Sequence, residues 1–420
     1  MRGLASQTFA SLRVHNYRVF FLGMLVSASG TWMQSVAQGW LVLQLTGSGT
    51  AVGLVTAAQF VPMLVGGVYG GVIADRFDKR HILFVSQSIL GVSAGLLALV
   101  TLTGVVEVWM VFACALLTGC GTVIDNPTRQ AFVSELVGPE RVANAVALNS
   151  AMFNAARIAG PAMAGLLILV AGTGVCFLYN ALSYMAVLFS LTRMRPDELH
   201  RGKPTGRAKG QVRAGLRYAW ATPELRSTIL LVAIVGTFAL NFTVLTPLLV
   251  EFTFEAGPGT LGLLTSAMGA GSLVGALVAA ARSKPTPGLL VGAAGALGIV
   301  MLAVAVAPTL WSAGLLLALT GAATITFLST ANTTLQLRSS TEMRGRVMSL
   351  YLLVFLGSTP IGGPIVGWVA ETFDPRAGFA VGGVASLVGA VIAAGGLLRG
   401  RRRRESALAA EPLAGEPAAA

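Results

Sequence analysis

Arg157 is the residue that first asks for a chemical role. It lies near the middle of the apolar stretch 142–171, too deep for its guanidinium to reach water easily, and a central arginine costs roughly 2.5 kcal/mol or more on insertion scales. It should therefore face an interior. There it either holds an anionic group of a cargo or answers a protonatable partner, or else it is satisfied by carbonyls that a bend at Pro161 would expose. Gln34 and Gln38, one helical turn apart with Trp32 and Trp40 near them, form a second set with Gln59, Asn149, Asn154, Asn180, Tyr184 and Asn241. Amides and aromatics of this kind bind a small molecule by hydrogen bonding and stacking, or simply tie helices together. Two acids are candidate proton carriers, Asp125 toward the inner end of its span and Glu251 at an outer end; Glu107 and Glu255 also sit at outer ends. No catalytic set emerges. His15, His81 and His200 fall at span edges or in a linker. Cys114, Cys120 and Cys176 are odd in number and lack the paired spacing of a zinc site or disulfide framework. No metal, cofactor or enzyme chemistry is expected.

What positions these residues is a set of long apolar blocks. Of 420 residues, 55% are hydrophobic and 11% charged, against about 25% charged for a soluble domain. If about 20 apolar residues span a bilayer, the chain divides into spans at about 17–44, 51–74, 82–103, 108–126, 142–171, 175–193, 227–250, 258–281, 287–307, 309–333, 347–370 and 377–398. The expected fold is all-α and integral to the membrane. Two six-helix halves, 17–193 and 227–398, are preceded by a cytoplasmic segment 1–16, joined by a cytoplasmic linker 194–226 and followed by a cytoplasmic tail 399–420. The first block follows arginines without a short apolar core and small-residue cleavage site, so it reads as a span and not as a removable signal.

The excess of basic residues settles orientation instead of pointing to nucleic acid. Of 29 lysines and arginines, all but Arg157 and Arg376 fall on one side of the twelve-span arrangement, which the positive-inside rule makes cytoplasmic. The opposite connections are short and nearly uncharged. Within the linker, Val212, Leu216 and Trp220 recur every four residues among Lys209, Arg213 and Arg217, as in a helix lying at the membrane surface. Arg399 and the run 401–404 can meet anionic headgroups, and the Ala, Glu and Pro of 405–420 suggest disorder. Arg141 precedes Gly160-Pro161 by the same interval as Arg344 precedes Gly363-Pro364. This weak internal repeat is the kind that transporters build sites between.

Gly71-Val72-Ile73-Ala74-Asp75-Arg76-Phe77-Asp78-Lys79-Arg80, with Leu83, resembles the cytoplasmic signature of the major facilitator superfamily, with Asp78 where a glycine is common. The resemblance implies a conformational latch made by Gly71, Asp75, Arg76, Lys79 and Arg80. Asp75 would cap the cytoplasmic end of the eleventh span and Lys79 would reach Asp125. The matching stretch of the second half, 275–282, has no aspartate, so the latch is one-sided. Ala147, Ala156, Gly160-Pro161 and Ala164-Gly165 resemble the superfamily's antiporter signature, and small residues there permit close helix contact. Asn16-Tyr17-Arg18, Thr46-Gly47-Ser48 with Ala51-Val52-Gly53-Leu54, and Asn144 with the run from Ala156 to Pro161 are similar to the branch containing the enterobactin exporter and macrolide efflux proteins. The similarity runs over about 10–398. It implies export of an amphipathic small molecule, siderophore-like, macrolide-like or another drug or metabolite, by proton antiport from the cell membrane; a monomer is the expected unit, and the placement of the basic residues leaves no nucleic-acid partner expected. Uptake or lipid flipping are rival readings within transport. A non-transporting sensor is a rival from another class, though the tail is too short for a signalling domain.

Overall fold

The computed structural model describes residues 8–200, 211–281 and 286–410. Among these residues there is no strand, and twelve helices are long and apolar enough to cross a membrane. The first half comprises α1 (His15–Thr46), α2 (Gly49–Arg76), α3 (Lys79–Leu102), α4 (Val108–Val137), α5 (Val142–Ala171) and α6 (Thr173–Thr192). The second comprises α7 (Pro223–Thr253), α8 (Pro258–Ala280), α9 (Pro287–Ala305), α10 (Leu310–Arg338), α11 (Arg344–Thr372) and α12 (Pro375–Ala410).

Local sequence explains most of the boundaries. Gly47 takes φ 60° to end α1, a backbone that suits glycine. The Ser48 side chain caps α2, and Thr309 forms a capping box with Ser312 at the start of α10. Proline opens α7, α8 and α9, where its missing N–H is unneeded. Asp78, in place of the superfamily's usual glycine, caps α3 by accepting from the Arg80 and His81 amides.

Two helices depart from the sequence expectation. α4 does not stop near 126 but continues to Val137. Asp125, Asn126 and Pro127 read as a helix end, yet Phe132, Val133 and Leu136 carry the apolar stripe onward into a cluster with Tyr17, Phe20, Leu83 and Leu191, and that burial overrides Pro127. The seventh span runs as Pro223–Phe238, breaks at 239–241, resumes over Phe242–Leu248 and ends in a π-helical turn, Leu249–Thr253. Asn241 donates its amide to the Thr237 carbonyl at 2.7 Å across the break.

The two halves pack alike. α1 lies against α5 and α6, α2 against α4, and α3 against α4 and α6; their counterparts α7 with α11 and α12, α8 with α10, and α9 with α10 and α12 repeat the scheme. Large apolar side chains such as Leu169, Val170, Leu263, Leu315 and Trp311 are exposed around the bundle, as a lipid-facing belt requires. One end, here the basic face, carries the arginine-bearing turns and the linker helix Gln211–Ala221; the other, the bare face, carries a few acids and, among the described residues, Arg376 as its one basic side chain. In the linker helix Ala219 is buried and the Tyr218 hydroxyl accepts from the Ser340 amide, while Leu216 and Trp220 stay exposed. The expected membrane-surface contacts of Lys209, Val212 and Arg213, and the segments 1–7, 282–285 and 411–420, lie outside the described residues or side chains.

The halves meet along two helix pairs, α2 with α11 and α5 with α8. Side chains added at Gly49 and Gly53 of α2 would overlap Gly367 and Gly363 of α11, and one added at Gly357 would meet Leu64. On the other pair, Gly165 faces Pro258 and Gly262, Gly262 faces the Pro161 carbonyl, and Gly269 faces that of Arg157. Small residues let these backbones approach. These contacts run from the bare face, at Gly49–Gly367 and Gly165–Pro258, to the middle of the helices, at Leu64–Gly357 and Arg157–Gly269. Nearer the basic face than these, no close glycine contact joins the two halves among the described residues; there Gly70 of α2 turns to Val123 of α4 instead.

Candidate functional site

The level at which these close contacts end is the centre of the candidate site, because polar groups of the first half stand there. Trp32 stands two turns from Gly39 on one stripe of α1, and Gly39 packs across the halves against Thr243 and Pro247 of α7. That stripe therefore points at the second half. The Arg157 guanidinium lies over the Trp32 ring, 5.1 Å from its centroid, an attractive cation–π arrangement. Arg157 is half-buried and, among the described residues, has no hydrogen-bonding or ion-pair partner. The carbonyls near Pro161 are used otherwise: Ser266 of α8 donates to the Ile158 carbonyl at 2.7 Å, and Gly269 covers that of Arg157. Of the two roles open to Arg157 from the sequence, satisfaction by exposed carbonyls is not the one the geometry provides.

Below Arg157, toward the basic face, lies a buried ion pair that the sequence did not reveal. Asp125 accepts from Ser86 Oγ at 2.9 Å and Gln87 Nε2 at 2.7 Å, and its other oxygen is 3.4 Å from Arg129 Nε. Four residues apart on α4, the two share a helix face. The Arg129 guanidinium covers the Phe153 ring at 4.7 Å, one turn from Arg157 on α5, and donates to Asn126 Oδ1 at 2.7 Å. Asp125 is thus a buried residue in mid-helix and not one at the end of its span, since α4 extends twelve residues beyond it. Glu251, the other candidate acid, is exposed in the π-helical turn at the bare end of α7. The two acids are not brought together.

The amides divide. Asn180 donates to Gln34 Oε1 at 2.6 Å, joining α6 to α1, and the Tyr184 and Thr31 hydroxyls are 3.4 Å apart. Gln34, Gln38, Asn180, Tyr184 and Asn241 are all buried. Asn149 and Asn154 are half-buried on α5, where Asn154 donates to the Ser150 carbonyl. Gln34, Asn180 and Asn241 therefore serve helix contacts in this conformation.

The charged turn between α2 and α3 corrects one expected pairing. Lys79 Nζ meets Glu135 Oε1 at 2.6 Å, not Asp125. The physical reason is the extra length of α4, which carries Glu135 to the basic end beside Lys79 and leaves Asp125 too deep. Arg80 Nε donates to the Leu191 carbonyl at 2.9 Å, binding the turn to α6; Arg76 is exposed, and Gly71 lies within α2. The side chain of Asp75 lies outside those described. Gly160 packs against Trp32 and the Ser29 carbonyl of α1, whereas Gly165 and Gly363 lie between the halves. A separate cleft of about 260 Å³, bordered by Thr228, Leu290 and the pair Glu224–Arg338 at 3.5 Å, opens within the second half alone. Among the described residues no cluster of metal-ligating side chains is present.

At the opposite end, Glu371 of α11 accepts from Ser48 Oγ at 2.7 Å and from the Thr50 amide at 2.8 Å. This contact joins the last turn of one half's helix to the first turn of the other's, and nothing in the sequence marked it.

Two repeated six-helix halves that meet along α2–α11 and α5–α8 are the architecture of the major facilitator superfamily. More narrowly, the chain belongs to the family described as transmembrane secretion effector, whose model matches residues 6–414. It is similar to the staphyloferrin A transporter of Staphylococcus aureus, 24% identical over 62% of this chain and 66% of that one. It is also similar to the multidrug efflux pump Tap of Mycolicibacterium fortuitum, 28% identical over 62% and 65%. The enterobactin exporter EntS of Shigella flexneri is 24% identical over 62% of each chain. The chain spans less than two thirds of the length of these relatives. In fold it matches a bacterial homologue of the human lysosomal transporter Spinster in an inward-facing, unoccupied conformation, with TM-score 0.71, 15% identity and 93% and 97% of the two chains covered.

Proposed function

We propose that the chain exports an amphipathic small molecule from the cytoplasm by alternating access, driven by the proton gradient, with each monomer a complete transport unit. In this reading the basic face is cytoplasmic, and the structure corresponds to the inward-open state. The observation that carries it is the one-sided distribution of close glycine contacts: between α2 and α11 and between α5 and α8 they run from the bare face to mid-helix, and they end at the level of Arg157 and Trp32. Efflux relatives support the outward direction. Cargo would enter from the cytoplasm beneath Trp32 and Arg157, with Asn149 and Asn154 lining the way. Asp125, buried against Arg129, is the proposed proton carrier, and Glu251 a subsidiary one at the outer end. Gly71, Asp75, Arg76, Lys79 and Arg80 are the proposed latch of the opposite, outward-open state, with Lys79 acting through Glu135.

The test is efflux of a panel of fluorescent amphiphiles from energised cells with and without the chain. At least one should leave several-fold faster when the chain is present, lose that advantage on addition of a protonophore, and lose it in Arg157→Gln. Faster accumulation inside would establish uptake instead, and efflux indifferent to the protonophore would remove the proton drive.

A further inference from the structure

We infer that the Arg157–Trp32 pair is a recognition site for a carboxylate on the cargo, set beside an apolar or aromatic body. This deepens the export reading and rests on it for the identity of the gap as the cargo path. Charges close to the gap leave one cation uncompensated. Asp125 and Arg129 neutralise each other; Arg157 has Trp32 and no described acid beside it. A guanidinium placed inside a membrane without a counter-ion is costly, and stacking on an indole supplies only part of what it lacks. The contact holds the guanidinium beside the ring, and its N–H groups make no hydrogen bond among the described residues, so the fork is free to take a planar carboxylate in two parallel hydrogen bonds. The indole in turn offers an apolar surface to the rest of the same molecule. The probe is 2-naphthoate against its neutral amide, titrated into the purified full-length chain in detergent with tryptophan fluorescence and calorimetry as readouts. The acid should bind about tenfold or more tightly than the amide, the factor expected for a charge-assisted hydrogen bond. Arg157→Gln should abolish the discrimination while remaining monodisperse, and Arg157→Lys should keep part of it. Equal binding of acid and amide, or discrimination that survives Arg157→Gln, overturns the site. Because binding is read without transport, failure of the export reading leaves a different mark.

A second inference comes from the bare face. Glu371 is the penultimate residue of α11, as Asp75 is of α2, and it caps the first turn of α2 across the halves through Ser48 and Thr50. A carboxylate at a helix N-terminus meets the positive end of the macrodipole. The geometry points to Glu371 as a latch for the inward-open state, related to the proposed Asp75 latch by exchange of the two halves. Opening the bare face must break both of its hydrogen bonds. Spin labels at Thr103→Cys and Val306→Cys, exposed on the bare face of opposite halves, report the change in a Cys120→Ser background. Glu371→Gln should shift the ratio of long to short label distances by about fivefold toward the long, open population, and Glu371→Asp by less. Distance distributions unchanged in both variants, with the chain monodisperse, would reduce the contact to a local cap.

Discussion

Asp125 and Arg129 show how a charge pair hides in sequence. Arg157 was legible because it stands alone in an apolar run; Asp125 and Arg129 were not, because Asn126-Pro127 between them has the form of a helix end. Only the continuation of α4 to Val137, driven by the burial of Phe132 and Leu136, places both inside. Three neighbours, Ser86, Gln87 and Arg129, make the buried carboxylate tolerable. Removing one member leaves the other exposed to the full cost of burial, roughly 3–5 kcal/mol for a buried pair. Asp125→Asn should therefore lower the thermal midpoint of the detergent-purified chain, and Asp125→Asn with Arg129→Gln should recover part of that loss. A double variant no more stable than the single would mean that the pair contributes no coupling energy. Efflux measured on the same preparations separates this duty from proton carriage: Asp125→Asn should remain inactive even where the double variant restores stability.

Among elements, α2 and α11 carry the closure of the bare face. The antiparallel match of Gly49 and Gly53 with Gly367 and Gly363 leaves no room for side chains. Half of this device was readable. Gly363-Pro364 repeated the spacing of Gly160-Pro161; Gly363 and the Pro161 carbonyl lie where the halves meet, whereas Gly160 packs on α1 within its own half. Their partners were not readable, because Gly53 and Gly262 are ordinary glycines among 51, and only the long-range pairing of helices from different halves distinguishes them. Gly53→Leu should force α2 away from the Gly363 carbonyl and weaken the inward-open state by about 1–3 kcal/mol, the usual cost of overpacking. Bare-face label distances should lengthen and efflux should fall at least several-fold. Gly104→Ala, in a turn with open space around it but φ 75°, tests plain backbone strain and should lower stability without changing those distances. If both substitutions leave the distances alone, the glycine contact is packing without conformational consequence.

For the molecule as a whole, orientation decides which way the proposed gap faces. The fold class and the number of spans followed from the length of the apolar blocks, since a bilayer sets that length physically. The direction of opening could not follow, because both states of an alternating-access transporter satisfy the same hydrophobic pattern. Charge supplies the missing sign. The basic turns of α2–α3, α4–α5 and α10–α11 share one face, while the α1–α2, α5–α6 and α9–α10 connections opposite carry no lysine or arginine. Moving the basic segments outward would require each to cross the membrane against the insertion preference that retains lysine and arginine in the cytoplasm. A reporter enzyme active only outside the cytoplasm should then be silent when fused after Ala410 and active when inserted at Val306, exposed in the α9–α10 turn. The opposite pattern would invert the molecule, making the gap open outward and Glu371 a cytoplasmic contact. Silence at both positions would place the α9–α10 turn on the side of the tail and contradict the twelve-span path itself.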